Sequence, residues 1–101
     1  MAASSPPPRS TDPAILALRR RIDEVDAQIL TLVLTRAAVV SEVAVEKARL
    51  SLPVRDEQRE QEHLAALLEM ANAQGAPRGF SEVVRTVFIA IFDASRALQE
   101  S

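Results

Sequence analysis

The sequence contains few of the residues on which most enzyme chemistry depends. Its 101 residues include no cysteine, no tryptophan, no tyrosine, one histidine and two glycines. Without cysteine, neither a disulfide framework nor thiolate catalysis is available, and one histidine argues against a histidine-rich metal site. No glycine-rich phosphate-binding loop is present. We therefore expect no metal and no cofactor.

Charge and hydropathy restrict the partners in the same way. The net charge of −2 provides no basic surface for nucleic acid. No apolar run approaches the roughly 20 residues of a membrane span. The first twelve residues also lack the apolar core of a signal peptide. We expect a cytoplasmic protein that binds neither nucleic acid nor membrane.

The remaining composition predicts an all-α fold in a single domain. Hydrophobic residues make up 48% of the chain and are mostly aliphatic. Residues 1–12 are small, polar and proline-rich, which predicts a disordered tail before a domain over 13–101. Asp12 and Pro13 are typical of an N-cap and a first helical residue. Glycine and proline punctuation then predicts three helices: Pro13 to about Leu50, Asp56 to about Asn72, and from an N-cap at Ser81 to about Gln99.

The first helix is unusually long for a chain of this size. A helix of about 37 residues extends about 55 Å. A compact domain of about 100 residues has a radius of gyration near 13 Å, so one copy cannot cover that helix. Its predicted buried stripe repeats at alternating three- and four-residue steps. The stripe consists of Ile15, Leu18, Ile22, Val25, Ile29, Leu32, Val39 and Val43. We expect an intertwined homodimer in which a second copy packs along this helix.

Cations interrupt the apolar stripe of the first helix. Arg36 falls on the stripe, and Lys47, eleven residues later, projects in nearly the same direction. Buried cations are costly unless an anion meets them, so the pair predicts an anion pocket. Arg19 faces another direction and, in a symmetric dimer, would complete the partner's site.

Polar residues on the other two helices share faces as well. Asp56, Arg59 and Glu60 lie on one face at the start of the second helix, as either a local ion pair or part of a site. Ser95 and Gln99 are one turn apart near the end of the third helix, in either a fraying turn or a site. Ser95 has no histidine at helical spacing, which argues against a nucleophilic triad.

His63 is expected to be an exposed surface residue. The three cations, two neutral hydrogen-bonding groups and a carboxylate then suit a compact dianion that carries a hydroxyl. They do not suit a hydrolase.

Five fragments in a fixed order carry a family resemblance over about Leu16 to Gln99. They are LRRRIDEVDAQIL, LTRAAVV, VEKARL, PVRDEQRE and SRALQ. With these fragments the sequence resembles the all-helical (AroQ-class) chorismate mutases. The resemblance implies an intertwined dimer of three helices per chain, with two active sites that each draw on both protomers.

The resemblance also implies roles for the polar residues. Arg36, together with Arg19 of the partner subunit, would hold the two substrate carboxylates, and Ser95 would assist at one of them. Lys47 and Gln99 would donate hydrogen bonds to the ether oxygen of the enolpyruvyl group. The segment after the connector would bind the ring hydroxyl through Glu60 and Asp56, with Arg59 ordering it.

The implied activity is the conversion of chorismate to prephenate in aromatic amino acid biosynthesis, without a cofactor. The alternatives are a sister reaction on 4-amino-4-deoxychorismate, an isochorismate pyruvate lyase, a weakly active member that needs a partner synthase, and a non-catalytic helical dimer. Two residues depart from the family pattern. We expect Phe92 to pack in the core and Arg96 to point to solvent; the alternative is that they reshape the pocket.

Overall fold

Three helices make up the part of the chain that the structure describes. The computed structural model describes residues 11–100, so most of the predicted tail, residues 1–10, and Ser101 lie outside it. The helices are α1 (Pro13–Arg49), α2 (Glu57–Ala73) and α3 (Phe80–Glu100). The prediction of an all-α chain with a very long first helix is confirmed.

Local hydrogen bonds define both ends of α1. At its start, the Ala14 N–H donates to Asp12 Oδ1 over 2.9 Å, which confirms Asp12 as the N-cap. At its end, Ser51 adopts a left-handed φ of 57°. This turn lets the Leu52 N–H donate back to the Lys47 carbonyl over 2.8 Å and satisfies a carbonyl of the last turn. The helix therefore stops before Pro53 is reached.

The chain divides into two compact units, residues 1–36 and residues 37–101. The described part of the first unit, residues 11–36, consists almost entirely of helix. Its apolar side chains lie open: Ile22 is 57% exposed and Ile29 is 51% exposed. The predicted buried stripe is thus not buried within a single chain, because no residue of α1 is buried.

Helix α1 contains a long apolar stretch. An 18-residue stretch of it has a mean hydropathy of 1.6, long and apolar enough to cross a membrane by length and composition alone. The expectation that no stretch comes near this range is wrong. Core helices of soluble proteins and signal sequences have the same composition, so this is weak evidence for a membrane span.

The second unit has a small core between α2 and α3. Val84 and Phe92 of α3 are its buried residues among those described. The apolar side of α2 is half-buried, at Leu64, Leu67, Leu68 and Ala71. The Phe92 ring centroid lies 6.2 Å from that of Phe88 and 5.9 Å from that of His63. Phe92 therefore packs in the core as predicted.

His63 differs from its prediction. It is half-buried rather than exposed, because its ring packs against Phe92 across the two helices. The sequence around His63 does not indicate the aromatic ring that faces it, because Phe92 lies on another helix.

Residues 74–79 connect α2 and α3, and α3 begins earlier than predicted. The Phe80 N–H donates to the Pro77 carbonyl over 3.0 Å, so the first helical residue is Phe80. Gly79 precedes it with a φ of 85°, which glycine adopts without steric cost. The predicted N-cap at Ser81 is therefore wrong, since Ser81 already lies inside the helix.

Candidate functional site

The end of α1 brings Lys47 to the end of α3. The half-buried Lys47 ammonium donates to the Val54 carbonyl over 2.6 Å and to Gln99 Oε1 over 3.2 Å. The two side chains are 52 positions apart in sequence, yet they meet directly. Both contacts hold the Lys47 nitrogen in place, and charge-assisted hydrogen bonds of this kind are stronger than neutral ones.

Ser95 and Gln99 occupy successive turns of α3. The Gln99 amide nitrogen donates weakly to the Ser95 carbonyl over 3.4 Å. The Ser95 hydroxyl donates to the Ile91 carbonyl over 2.8 Å, a bond back to its own helix that a serine side chain readily forms. The structure thus brings Lys47 and Gln99 into contact, and Ser95 lies one turn before Gln99 on α3.

Asp56, Arg59 and Glu60 lie at the start of α2. Asp56 is the N-cap, and its carboxylate accepts from the Arg59 N–H over 3.0 Å. Asp56 is therefore linked to the backbone of Arg59, whose exposed side chain forms no ion pair within residues 11–100. The proposed local ion pair is wrong for this segment; a capping interaction takes its place.

Glu60 pairs instead with an arginine from α3. Arg96 Nη1 donates to Glu60 Oε2, and Arg96 Nη2 donates to Asp93 one turn earlier. The side chains of Arg96 and Glu60 are only 16% and 24% exposed. The expectation that Arg96 points to solvent is wrong, because its guanidinium spans two carboxylates.

The charge of Arg96 is secured by these contacts. The hydrogen bond with Glu60 raises the pKa of Arg96 above its ordinary value, although burial opposes the rise. The nearby carboxylates of Asp93 and Glu100 raise it further. Arg96 is thus a permanent cation beside Glu60.

Glu60 remains accessible despite this pairing. It lines a cavity of about 230 Å³ together with Arg55, Glu57, Gln61, Leu64, Ile89 and Phe92. Since a carboxylate offers about four lone-pair positions, Arg96 leaves Glu60 free to accept further hydrogen bonds.

Arg19 and Arg36 belong to the first unit, residues 1–36. Arg19 is exposed and Arg36 is half-buried. Within the second unit the six remaining candidates lie in two groups. One group is at the ends of α1 and α3 (Lys47, Ser95 and Gln99), and the other is at the start of α2 (Asp56, Arg59 and Glu60).

Two features escaped the sequence analysis. The Val54 carbonyl, which accepts from Lys47, is a backbone group, so the identity of residue 54 does not reveal this contact. Arg96 did carry a signal: it lies one turn after the buried Phe92 and one turn before Gln99, on a part of α3 that packs against α2.

The arrangement favours binding and electrostatic chemistry. It provides fixed hydrogen-bond donors and a paired carboxylate. Among residues 11–100, no group of three histidine, aspartate or glutamate residues is placed to hold a metal ion.

Comparison with known proteins identifies the family of this chain. The family model described as chorismate mutase type II matches residues 18–100. The chain belongs to the chorismate mutase type II family. This confirms the family resemblance seen in the sequence, and the match includes every candidate residue of both groups as well as Arg19 and Arg36.

A curated relative of this chorismate mutase domain is the T-protein of Enterobacter agglomerans. It is 39% identical over 70 residues, which is 69% of this chain. The matched segment is only 19% of the T-protein, so the chain spans about a fifth of that relative. No solved structure matches the chain.

Proposed function

We propose that this protein converts chorismate to prephenate. The reaction is a unimolecular [3,3] rearrangement that requires no nucleophile, proton transfer, metal or cofactor. A site that holds the flexible substrate in a compact, chair-like shape lowers the barrier by orientation. Negative charge grows on the breaking ether oxygen, and preorganised donors stabilise it.

The meeting of Lys47 and Gln99 is the observation that carries this proposal. An ammonium has three N–H donors. The Val54 carbonyl and Gln99 Oε1 engage two of them, at 2.6 Å and 3.2 Å, and leave the third for a substrate oxygen. Because Gln99 turns its oxygen toward Lys47, its amide nitrogen is the group left to donate. The two donors of the ether oxygen are therefore side by side before the substrate arrives.

The remaining residues bind the substrate. Arg36, with Arg19 of the partner subunit, holds the two carboxylates, and Ser95 assists at one. Arginine suits this role because its planar fork matches a carboxylate. At the start of α2, Glu60 and Asp56 hold the ring hydroxyl. Arg59 orders this segment, and its backbone N–H donates to the Asp56 carboxylate.

The active unit in this proposal is an intertwined homodimer. The exposed apolar face of α1 supports it: Leu18, Val25 and Leu32 are each more than half exposed in the single chain, at 52%, 53% and 67%. Contiguous apolar surface of this kind marks an interaction site, and its burial contributes about 25 cal/mol per Å². A second copy covers this face without a membrane, in keeping with a cytoplasmic protein.

A mixing experiment tests whether each site is shared between protomers. Arg19→Ala and Lys47→Ala should each be nearly inactive alone. In a heterodimer of the two, one site has both Lys47 and Arg19 intact, so random mixing should restore about one quarter of wild-type activity. No recovery in co-purified heterodimers would contradict an Arg19 supplied by the partner subunit.

The activity itself is tested by following the absorbance of chorismate with purified protein in buffer that contains EDTA. First-order loss well above the uncatalysed rate supports the proposal. If the protein alone is weak, the preceding shikimate-pathway synthase should raise the rate. No catalysis in either condition would contradict it.

A further inference from the structure

Glu60 and Arg96 form a charged pair across α2 and α3. Arg96 is the more enclosed member, and its second nitrogen donates to Asp93, whose side chain is 62% exposed. Removing one member of a mostly buried pair leaves the other charge uncompensated. Arg96 is therefore the counter-charge that lies against the Glu60 carboxylate.

This pairing bears on a choice that the sequence leaves open. A lone glutamate accepts a hydrogen bond from a hydroxyl and equally attracts an ammonium. A glutamate already paired with a guanidinium still accepts from a neutral hydroxyl, because lone pairs remain. An ammonium at the same place meets a second cation a few ångströms away, and the carboxylate charge that would attract it is already compensated.

We propose that Arg96 is a specificity-determining residue, which makes the site select a ring hydroxyl over a ring ammonium. The inference rests on the proposed function, since Glu60 must face the ring substituent. Arg96 acts through Glu60 and by repulsion, as a positioning residue and a barrier to the wrong substrate. Specificity of this type is a difference between two affinities and often contains a repulsive element.

The test compares chorismate with 4-amino-4-deoxychorismate in the same preparations. For wild-type protein and Arg96→Gln, the ratio of kcat/KM for the two substrates is measured. We expect the preference for chorismate to fall by at least about tenfold in Arg96→Gln, which corresponds to about 1.4 kcal/mol. Arg96→Lys keeps the positive charge and should retain most of the preference.

The ratio separates specificity from stability. Any loss of folded protein lowers both values equally and leaves their ratio unchanged. Arg85→Gln is the matched control, because Arg85 is a half-exposed arginine of the same helix that pairs with Glu82. Its ratio should equal that of the wild type. If Arg96→Gln does not fold, Arg96→Met removes the charge while its stem still packs.

The outcomes distinguish this inference from the proposed function. Turnover of chorismate with an unchanged ratio in the neutral Arg96 variants would overturn the role of Arg96 alone. A ratio that changes equally in Arg85→Gln would overturn it as well. Turnover of neither substrate by wild-type protein would overturn the proposed function and this inference with it.

Discussion

Lys47→Ala should remove most of the catalysis while leaving the fold intact. The Lys47 ammonium is fixed by two hydrogen bonds, of 2.6 Å to the Val54 carbonyl and 3.2 Å to Gln99 Oε1, so its remaining donor is preorganised. Loss of one such donor costs about 10²–10³ in kcat, or about 2.7–4 kcal/mol of transition-state stabilisation. Because the donor is charged and half-buried, we expect the upper part of this range. The assay is the steady-state consumption of chorismate.

For Lys47→Ala, the separate changes in kcat and KM are as informative as the size of the rate loss. An interaction made mainly in the transition state lowers kcat and kcat/KM by similar factors, whereas loss of uniform binding raises KM alone. The matched control is Arg49→Ala, two residues further along α1. Arg49 is 64% exposed and pairs only locally with Glu46, so its removal should leave the rate unchanged. Wild-type rates in Lys47→Ala, or equal losses in both variants, would refute the role of Lys47.

Two further predictions concern Gln99 and Phe92. Wild-type activity should show no strong fall between mildly acid and neutral pH, because a neutral amide donates throughout. Gln99→Glu should instead lose activity as the pH rises through the pKa of the new carboxyl, which donates only while protonated; a flat profile in this variant would contradict the role of Gln99. Phe92→Ala should lower the free energy of unfolding by about 3–5 kcal/mol, since Phe92 is 6% exposed and contacts the rings of His63 and Phe88. Urea unfolding at fixed protein concentration measures this, with the 47%-exposed Val87→Ala as control; equal effects would contradict the core assignment.

The elements of the fold follow from local sequence signals. Asp12 and Pro13 define the start of α1, the proline and glycine positions define the two connectors, and Asp56 caps α2. These are interactions within a few residues of the chain, which is why the sequence reveals them. The predicted N-cap at Ser81 starts α3 two residues too late, at Glu82 instead of Phe80. The hydrogen bond from the Phe80 N–H to the Pro77 carbonyl depends on the shape of the loop and not on a capping side chain.

Helical periodicity and the family resemblance predict which residues belong to the candidate site. They do not predict the side-chain contacts between different helices. Ser95 and Gln99 share a face by their spacing alone. The resemblance to the chorismate mutases implied that Lys47 and Gln99 bind the same substrate oxygen. The pairing of Arg96 with Glu60 joins residues 36 positions apart, and a charged residue near a helix end looks solvent-exposed until its partner on another helix is known.

The apolar face of α1 is not buried by the rest of a single chain. Its periodicity predicts burial, yet Ile22 and Ile29 lie open in one copy. The periodicity indicates that another surface covers this face of α1, but it does not identify that surface. A homodimer accounts for both observations, and the Arg19 and Lys47 mixing experiment tests it.

The most direct test of the central claim is to identify the product by NMR after purified protein is incubated with chorismate in metal-free buffer. We predict prephenate, formed at an enzymatic rate without added cofactor and at a greatly reduced rate by Lys47→Ala. Unchanged chorismate at the end of the incubation, also in the presence of the preceding synthase, would contradict it.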